Sequence, residues 1–231
     1  MKIERLKNYG LAESKFMSPL PLGVQMDFAK TMLKISVKHF GISKLPSITI
    51  GMIIEMRRIK KIDLSPLLDR GIDKKFISSF FIMGAFSNTI LKMYGKEKMT
   101  QLYYEFCKLI CKTGFWLVLY PEPEEIKQFD DPFSVYNQYF LAQFEANKED
   151  NCLEFKIVEN SKDLFICEVS FCAWHAVLKH LGMDEMAAIF CYVDDVFFPE
   201  YVNELGGDWF KPSTISKGHT CCRFEHKRIK S

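Results

Sequence analysis

The sequence predicts an α+β fold, with a helical N-terminal half packed on a small antiparallel sheet and two helices in the C-terminal half. Three observations predict it. Apolar residues recur at helical spacing from about Asp27 to Asn147. The period then changes: after Lys148-Glu149-Asp150-Asn151, Leu153, Phe155 and Ile157 alternate with Glu154, Lys156 and Val158, as in a half-buried strand. Helical spacing returns at Trp174, Val177, Leu178 and Leu181 before alternation resumes near the end. At 231 residues, 48% hydrophobic and 14% aromatic, the chain can bury one sizeable core. We read a single domain, 1–231, with a mainly helical part (1–150) and a strand-helix-strand part (151–231) carrying the candidate site.

The elements follow in order. Gly10, Pro19, Pro21 and Gly23 punctuate an N-terminal arm with room for a short helix. Phe28, Met32 and Ile35 predict a helix that ends at Phe40, with Gly41 as its C′ residue. A second helix, Ile50 to Ile62, sets Met52, Ile53, Met56 and Ile59 against Arg57, Arg58, Lys60 and Lys61. Ser65-Pro66 can open a short helix, Ser as N-cap and Pro at N1. Lys75–Tyr94 and Lys96–Thr113 read as two long helices joined at Gly95. Cys107 and Cys111, one turn apart on the second, read as core thiols. Pro121-Glu122-Pro123 is a break. Asp131 before Pro132 resists helix, so the next helix is Ser134 to Asn147.

In the C-terminal part, Asn160-Ser161-Lys162-Asp163 turns the first strand into a second carrying Phe165, Cys167 and Val169. A helix from Trp174 ends at Gly182. Asp184 caps another that runs through Ile189 and Tyr192 towards Phe198. Lys211–Ser216 and Cys222–Lys227 form a last hairpin around Gly218.

Charge narrows the partners. A formal net charge of +2 argues against nucleic acid, and the basic run His226 to Lys230 reads as a solvated chain end. No signal peptide and no apolar run of the roughly 18–20 residues a membrane helix needs are seen. Phe115-Trp116-Leu117-Val118-Leu119 and Phe80-Phe81-Ile82-Met83 read as core. The expectation is a cytoplasmic protein without a membrane partner, its eight cysteines reduced and not a disulfide framework.

Reactive side chains concentrate between Phe165 and Phe224: six of the eight cysteines lie beyond Asn151. Cys172 stands where a strand hands over to a helix, and a helix N-terminus favours a thiolate. Cys191 and Asp194 are three apart on one predicted helix, with Asp195 turned to solvent. Asp194 either carries a proton or pairs with a base. His219 sits beside Cys221 and Cys222 in the Gly218 loop, as a general base or as an exposed loop histidine. Cys152 and Cys167 read as packing. No C-x-x-C or H-x-x-x-H spacing supports a metal, and no Gly-rich phosphate loop or G-x-S-x-G elbow occurs, so no cofactor is expected.

The run Val169-Ser170-Phe171-Cys172, then Leu181-Gly182, Cys191-Tyr192-Val193-Asp194, Thr214-Ile215-Ser216-Lys217-Gly218 and Cys222-Arg223-Phe224 resembles the L-2-amino-thiazoline-4-carboxylic acid hydrolase family. That pattern is a strand ending in Cys, a Leu-Gly helix end, a C-x-x-D helix and a terminal T-[LI]-[AS]-x-G-x-x-x-C-[DR]-F strand. Arg223 departs from it where an acid is common, Cys221 doubles the thiol, and Pro199 to Asp208 is expected to reshape the pocket.

The resemblance implies hydrolytic opening of a small cyclic amidine, such as a 2-amino-thiazoline carboxylate, as the small-molecule substrate. Such chemistry needs a nucleophile or activated water, a proton donor for the leaving sulfur and a cation or N–H cluster for the carboxylate. Cys172 and Cys222 are the candidate nucleophiles, Asp194 the proton carrier and His219 a further catalytic candidate. Cys191, Thr214, Gly218, Lys217 and Arg223 are the candidate substrate-binding residues. The alternatives are a non-catalytic small-molecule-binding or thiol-based sensor domain of vinyl-reductase-like build, and a cysteine-ligated metal protein. Homo-oligomerisation stays open.

Overall fold

A computed structural model describes residues 22–112 and 120–230. The N-terminal arm before residue 22 and the Phe115–Leu119 run lie outside the described residues. The element order is α1 (Leu22–Phe40), a 3-10 turn (Ile42–Lys44), α2 (Leu45–Ile59), α3 (Ser65–Leu68), α4 (Lys74–Lys112), α5 (Pro123–Ile126) and α6 (Pro132–Glu149). Then follow β1 (Leu153–Asn160), β2 (Leu164–Cys172), α7 (Ala173–His180), α8 (Asp184–Phe190), α9 (Tyr192–Glu204), β3 (Gly207–Ser213), a 3-10 turn (Ile215–Lys217) and β4 (Cys222–Arg228). The fold is α+β, as the two periodicities require.

The chain forms two compact units, and the division does not fall at residue 150. One unit holds residues 22–112 with 174–193; the other holds 120–173 with 194–230.

The first unit is helical. α4 is its spine and breaks at Gly95, whose φ of 83° and ψ of 171° are readily open only to glycine, so the two expected helices are real segments of one element. α2 and α4 approach closely: a Cβ on Gly51 would lie 2.5 Å from the Thr89 methyl carbon. Ile48, Ile59, Ile77, Ile90, Met99 and Leu102 are buried in this unit. Trp174 of α7 packs edge-on against Phe76 at 5.2 Å. Glu55 of α2, also buried, is held ionised by Lys92 and Arg58.

Lys74–Leu109 is, among the described residues, the one stretch long and apolar enough by composition to cross a membrane. Its uninterrupted apolar runs, such as Phe80-Phe81-Ile82-Met83, are short, because Ser78, Ser79, Ser87, Asn88 and Thr89 punctuate it. In the fold, Ser87, Asn88 and Thr89 are buried, and Ser87 bonds the Tyr103 hydroxyl at 2.6 Å, as in a core helix.

The second unit is a four-stranded antiparallel sheet, order β1-β2-β4-β3, with α6 against one face. The two predicted hairpins join through β2 and β4, which pair Cys167 with Phe224 and Val169 with Cys222. Phe165, Cys167 and Val169 of β2, with Cys222, Phe224 and His226 of β4, are buried. α6 meets them with Phe140 and Phe144, at 5.8 Å from the Phe165 ring and 5.6 Å from the Phe224 ring. Asp131 is non-helical, as Pro132 requires, and caps α6 by accepting from the Ser134 N–H at 3.1 Å.

Four expectations are corrected. The helix expected from Asp184 to Phe198 is two, interrupted at Cys191, because α8 buries Met186, Ala187 and Ile189 in the first unit and α9 buries Phe197, Phe198 and Tyr201 in the second. The third strand starts at Gly207 instead of Lys211: Gly206, at a φ of 83°, turns the chain directly out of α9. The helix expected to run towards Phe198 continues to Glu204, with Pro199 inside it. Finally, the basic C-terminal run is not all solvated, since β4 continues to Arg228, His226 is fully buried and Arg228 pairs with Asp131 at 2.8 Å.

Candidate functional site

The site assembles in the sheet unit from the start of α9 and the inner face of β3. Asp194 and Asp195 occupy the first turn of α9, where the helix dipole favours carboxylates. Along β3, Gly207, Trp209 and Lys211 alternate inward, and this period carries a lysine under the sheet. Its side chain is only 2% exposed. The Lys211 ammonium lies 3.2 Å from Asp194 Oδ2, 2.9 Å from Asp195 Oδ1, and 5.5 Å from the centre of the Trp209 ring.

Two carboxylates share one ammonium, and the balance shows on Asp194. Its side chain retains 24% exposure, yet the surrounding protein desolvates the carboxyl. Burial raises its pKa above the ordinary carboxylate value and Asp195 adds to the rise, while Lys211 opposes it through charge and hydrogen bond. Asp194 also acts on Tyr120 and Tyr136, whose phenols burial pushes well above their usual range.

Cys222 faces the same interior. Its sulfur accepts from the Ile215 N–H at 3.3 Å, at the start of the 3-10 turn that follows buried Thr214. Burial raises the thiol pKa, the Ile215 hydrogen bond and Lys211 oppose the rise, and the Asp194 charge adds to it. Cys222 is therefore a protonated thiol at neutral pH and a poor resting nucleophile.

Beside this group three buried polar atoms have no partner among the described residues: Tyr136 Oη, Trp209 Nε1 and His226 Nε2. Trp209 and His226 are cross-strand partners, and the Tyr136 and His226 rings lie 5.1 Å apart. His226 donates from Nδ1 to Asn137 Oδ1 at 2.8 Å and stacks on Phe165 at 5.2 Å. Its Nε2 is thus the bare lone pair of a neutral ring, and burial lowers its pKa to about 3.

The other predicted residues lie elsewhere. Cys172 ends β2 and leads into α7, as expected, but it is three residues beyond the Val169–Cys222 pair, about 10 Å along the strand. Cys191 belongs to the helical unit. Lys217, Gly218 and His219 are exposed in the hairpin loop, Gly218 at a φ of 90°. Cys221, half-buried, lies 3.9 Å from Ser213 Oγ. Arg223 pairs with Glu168 at 2.6 Å and with Glu225.

A groove of about 460 Å³, lined in part by Lys148, Glu154, Lys156, Ser170 and Cys221, opens on the sheet unit without any of the predicted catalytic groups. Among the described residues, no three His, Cys, Asp or Glu side chains gather as metal ligands would. Sequence reasoning missed Lys211, Tyr136, Trp209 and His226. The signal was present, since Lys211 continues the inward phase of Trp209 and His226 that of Cys222 and Phe224.

Comparison with solved structures finds weak likeness to the iron(II) unliganded H-NOX protein from K. algicida. It shares 9% identity over 88% of this chain and 96% of that one, with a TM-score of 0.38. A point mutant of that protein has the same identity and coverage and a TM-score of 0.40. Neither carries an argument about this protein. No curated protein sequence matches. The family profile described as L-2-amino-thiazoline-4-carboxylic acid hydrolase matches residues 75–226, a span that holds Cys172, Asp194, Lys211, Cys222 and, as its last residue, His226. With well over half its length matched, the chain belongs to the L-2-amino-thiazoline-4-carboxylic acid hydrolase family.

Proposed function

We propose that the protein hydrolyses a small cyclic amidine, of the 2-amino-thiazoline carboxylate type, at the Asp194–Lys211–Cys222 cluster. One observation carries the reading: a lysine almost wholly withdrawn from solvent lies between two carboxylates, one of them with a raised pKa. A carboxyl whose pKa is moved towards neutrality both takes and returns protons well.

In the reaction, the oxygen of water bonds to the ring carbon between nitrogen and sulfur. Asp194 takes one proton from that water and passes it to the ring nitrogen. The C–S bond then breaks while the remaining hydroxyl proton moves, again through Asp194, to the departing sulfur. The products are a ureido group and a free thiol, and one water is consumed. Lys211 holds the substrate carboxylate, or the oxygen as it gains charge, once Asp194 is protonated and releases its share of the ammonium. Cys222 lines the site as a thiol.

The test is direct. Purified protein is incubated with 2-amino-thiazoline-4-carboxylate, and the ureido thiol is followed chromatographically. We expect turnover by the wild type and a loss of at least about 100-fold in Asp194→Asn. Absence of product from the wild type, or full activity in Asp194→Asn, overturns the reading. A second reading, ligand binding without turnover, draws on Tyr136 Oη, Trp209 Nε1 and His226 Nε2, buried atoms that a polar guest would satisfy. Binding of the same compound without product would favour it.

A further inference from the structure

α2 presents an apolar face outward. Ile48, Glu55 and Ile59 point into the helical unit, at 3%, 3% and 0% exposure. On the opposite side, Ile50, Ile53 and Ile54 stand 60%, 48% and 58% exposed, and Ile42, in the turn before, is 72% exposed. Spacings of three and four residues place the three α2 isoleucines on one stripe, which Arg57 continues, and Lys60 and Lys61 follow in the turn after α2. Single exposed apolar residues are ordinary; a stripe of them on a helix calls for a partner.

Charge identifies the partner. Between Ile42 and Ile62 the exposed ionisable residues are Lys44, Arg57, Arg58, Lys60 and Lys61, all basic. The single acid in that stretch, Glu55, is buried and neutralised by Lys92 and Arg58. An isologous contact with a second copy through this face would set the α2 cations against one another, and the nearest exposed acid, Asp63, already accepts from Ser65. A convex helix with outward isoleucines and a basic end matches the interface of an anionic bilayer, where apolar side chains enter the headgroup boundary and cations meet phosphates.

We propose that α2 docks the protein on an anionic lipid surface. Ile50, Ile53 and Ile54 enter the boundary, and Lys44, Arg57, Lys60 and Lys61 contact the headgroups. This departs from the expectation of no membrane partner, which rested on the lack of a spanning segment. A surface helix needs none.

The experiment is flotation of the full chain with vesicles of phosphatidylcholine alone and of phosphatidylcholine with phosphatidylglycerol. We expect binding to the anionic vesicles only, weakening with added salt. Lys60→Gln with Lys61→Gln should weaken it about fivefold per cation removed. Ile53→Ser with Ile54→Ser should weaken it at least about tenfold. All four side chains are exposed, so unchanged circular dichroism and melting are expected, and each pair tests the proposal independently of the other. No flotation with anionic vesicles overturns it. So does equal binding to both vesicle types, or flotation unaffected by either pair of substitutions. Sedimentation showing a dimer that Ile53→Ser with Ile54→Ser dissociates, without vesicle binding, would assign the face to a second copy. Turnover plays no part in these readouts.

Discussion

Lys211 reaches Asp194 across 3.2 Å from a side chain with almost no access to solvent. It approaches from β3, while Asp194 stands on α9, so the pair joins the sheet to a helix within one unit. A buried ammonium held by two carboxylates is costly to desolvate, and removing either sign exposes the cost of the other.

Replacing the ammonium should therefore damage stability and proton chemistry together. In Lys211→Met, Asp194 and Asp195 lose their cation but keep some contact with water, so we expect a loss of about 1–3 kcal/mol, below that of a fully buried pair. The Asp194 pKa should rise further, because its opposing charge is gone. The acidic limb of any pH–rate profile should move to higher pH in this variant. Thermal melting and a pH profile measure the two effects; an unmoved limb would remove Asp194 from the mechanism.

His226 sets a second pH response, in stability. Its folded pKa lies near 3, below the ordinary 6.5, so the unfolded chain takes up a proton that the folded chain refuses. Stability from this group is complete above pH 6.5 and falls as pH drops towards 3, at up to about 1.4 kcal/mol per pH unit. Asp194 has the opposite sign. Its raised folded pKa means that stability falls as pH rises from 3.8 to the folded value, where the unfolded carboxyl ionises first. His226→Phe should flatten the acid slope of the wild type. Melting temperature measured across that pH range checks it; an unchanged slope would mean that His226 is not the neutral buried group described.

Thiol reactivity should sort by burial. Cys167, pushed up to about 12, and Cys222, also raised by burial, should resist iodoacetamide at neutral pH. Half-buried Cys221 should react before either. Under water attack, Cys222→Ser should keep activity within about tenfold. Peptide mass mapping after timed alkylation gives the order. An abolished Cys222→Ser variant that still folds would restore the covalent route.

Packing around Gly207 offers a test of the sheet unit. A Cβ there would fall 2.4 Å from Phe133 Cε2, a ring fixed at the start of α6 and only 1% exposed. Gly207→Ala should cost about 1–3 kcal/mol by overpacking, read as a lower melting temperature. Melting equal to wild type would mean that the ring moves freely, contrary to its burial.

How far the sequence carried depended on whether a signal was local. The Gly95 break, the non-helical Asp131 before Pro132 and the β1–β2 hairpin each rest on a backbone preference or period held within a few residues. The division of the Asp184–Phe198 stretch at Cys191 does not, because each half obeys helical spacing and only the choice of core separates them. Arg223 was read as a carboxylate binder from its charge, yet it stands opposite Glu168 and between acids that engage it.

The sequence by itself determined the fold class, the broad succession of helices and strands and the family pattern, and it marked Asp194 and Cys222 as candidates, since periodicity and motif spacing are written along one chain. Tertiary structure alone decided that Lys211 is Asp194's partner and that His226 is buried. It also separated Cys172 from Cys222 by the length of three strand residues. The physical reason is register. Which side chains meet depends on how β2, β3 and β4 pair and where α9 begins, and free energy settles those contacts across the whole core rather than within any one segment.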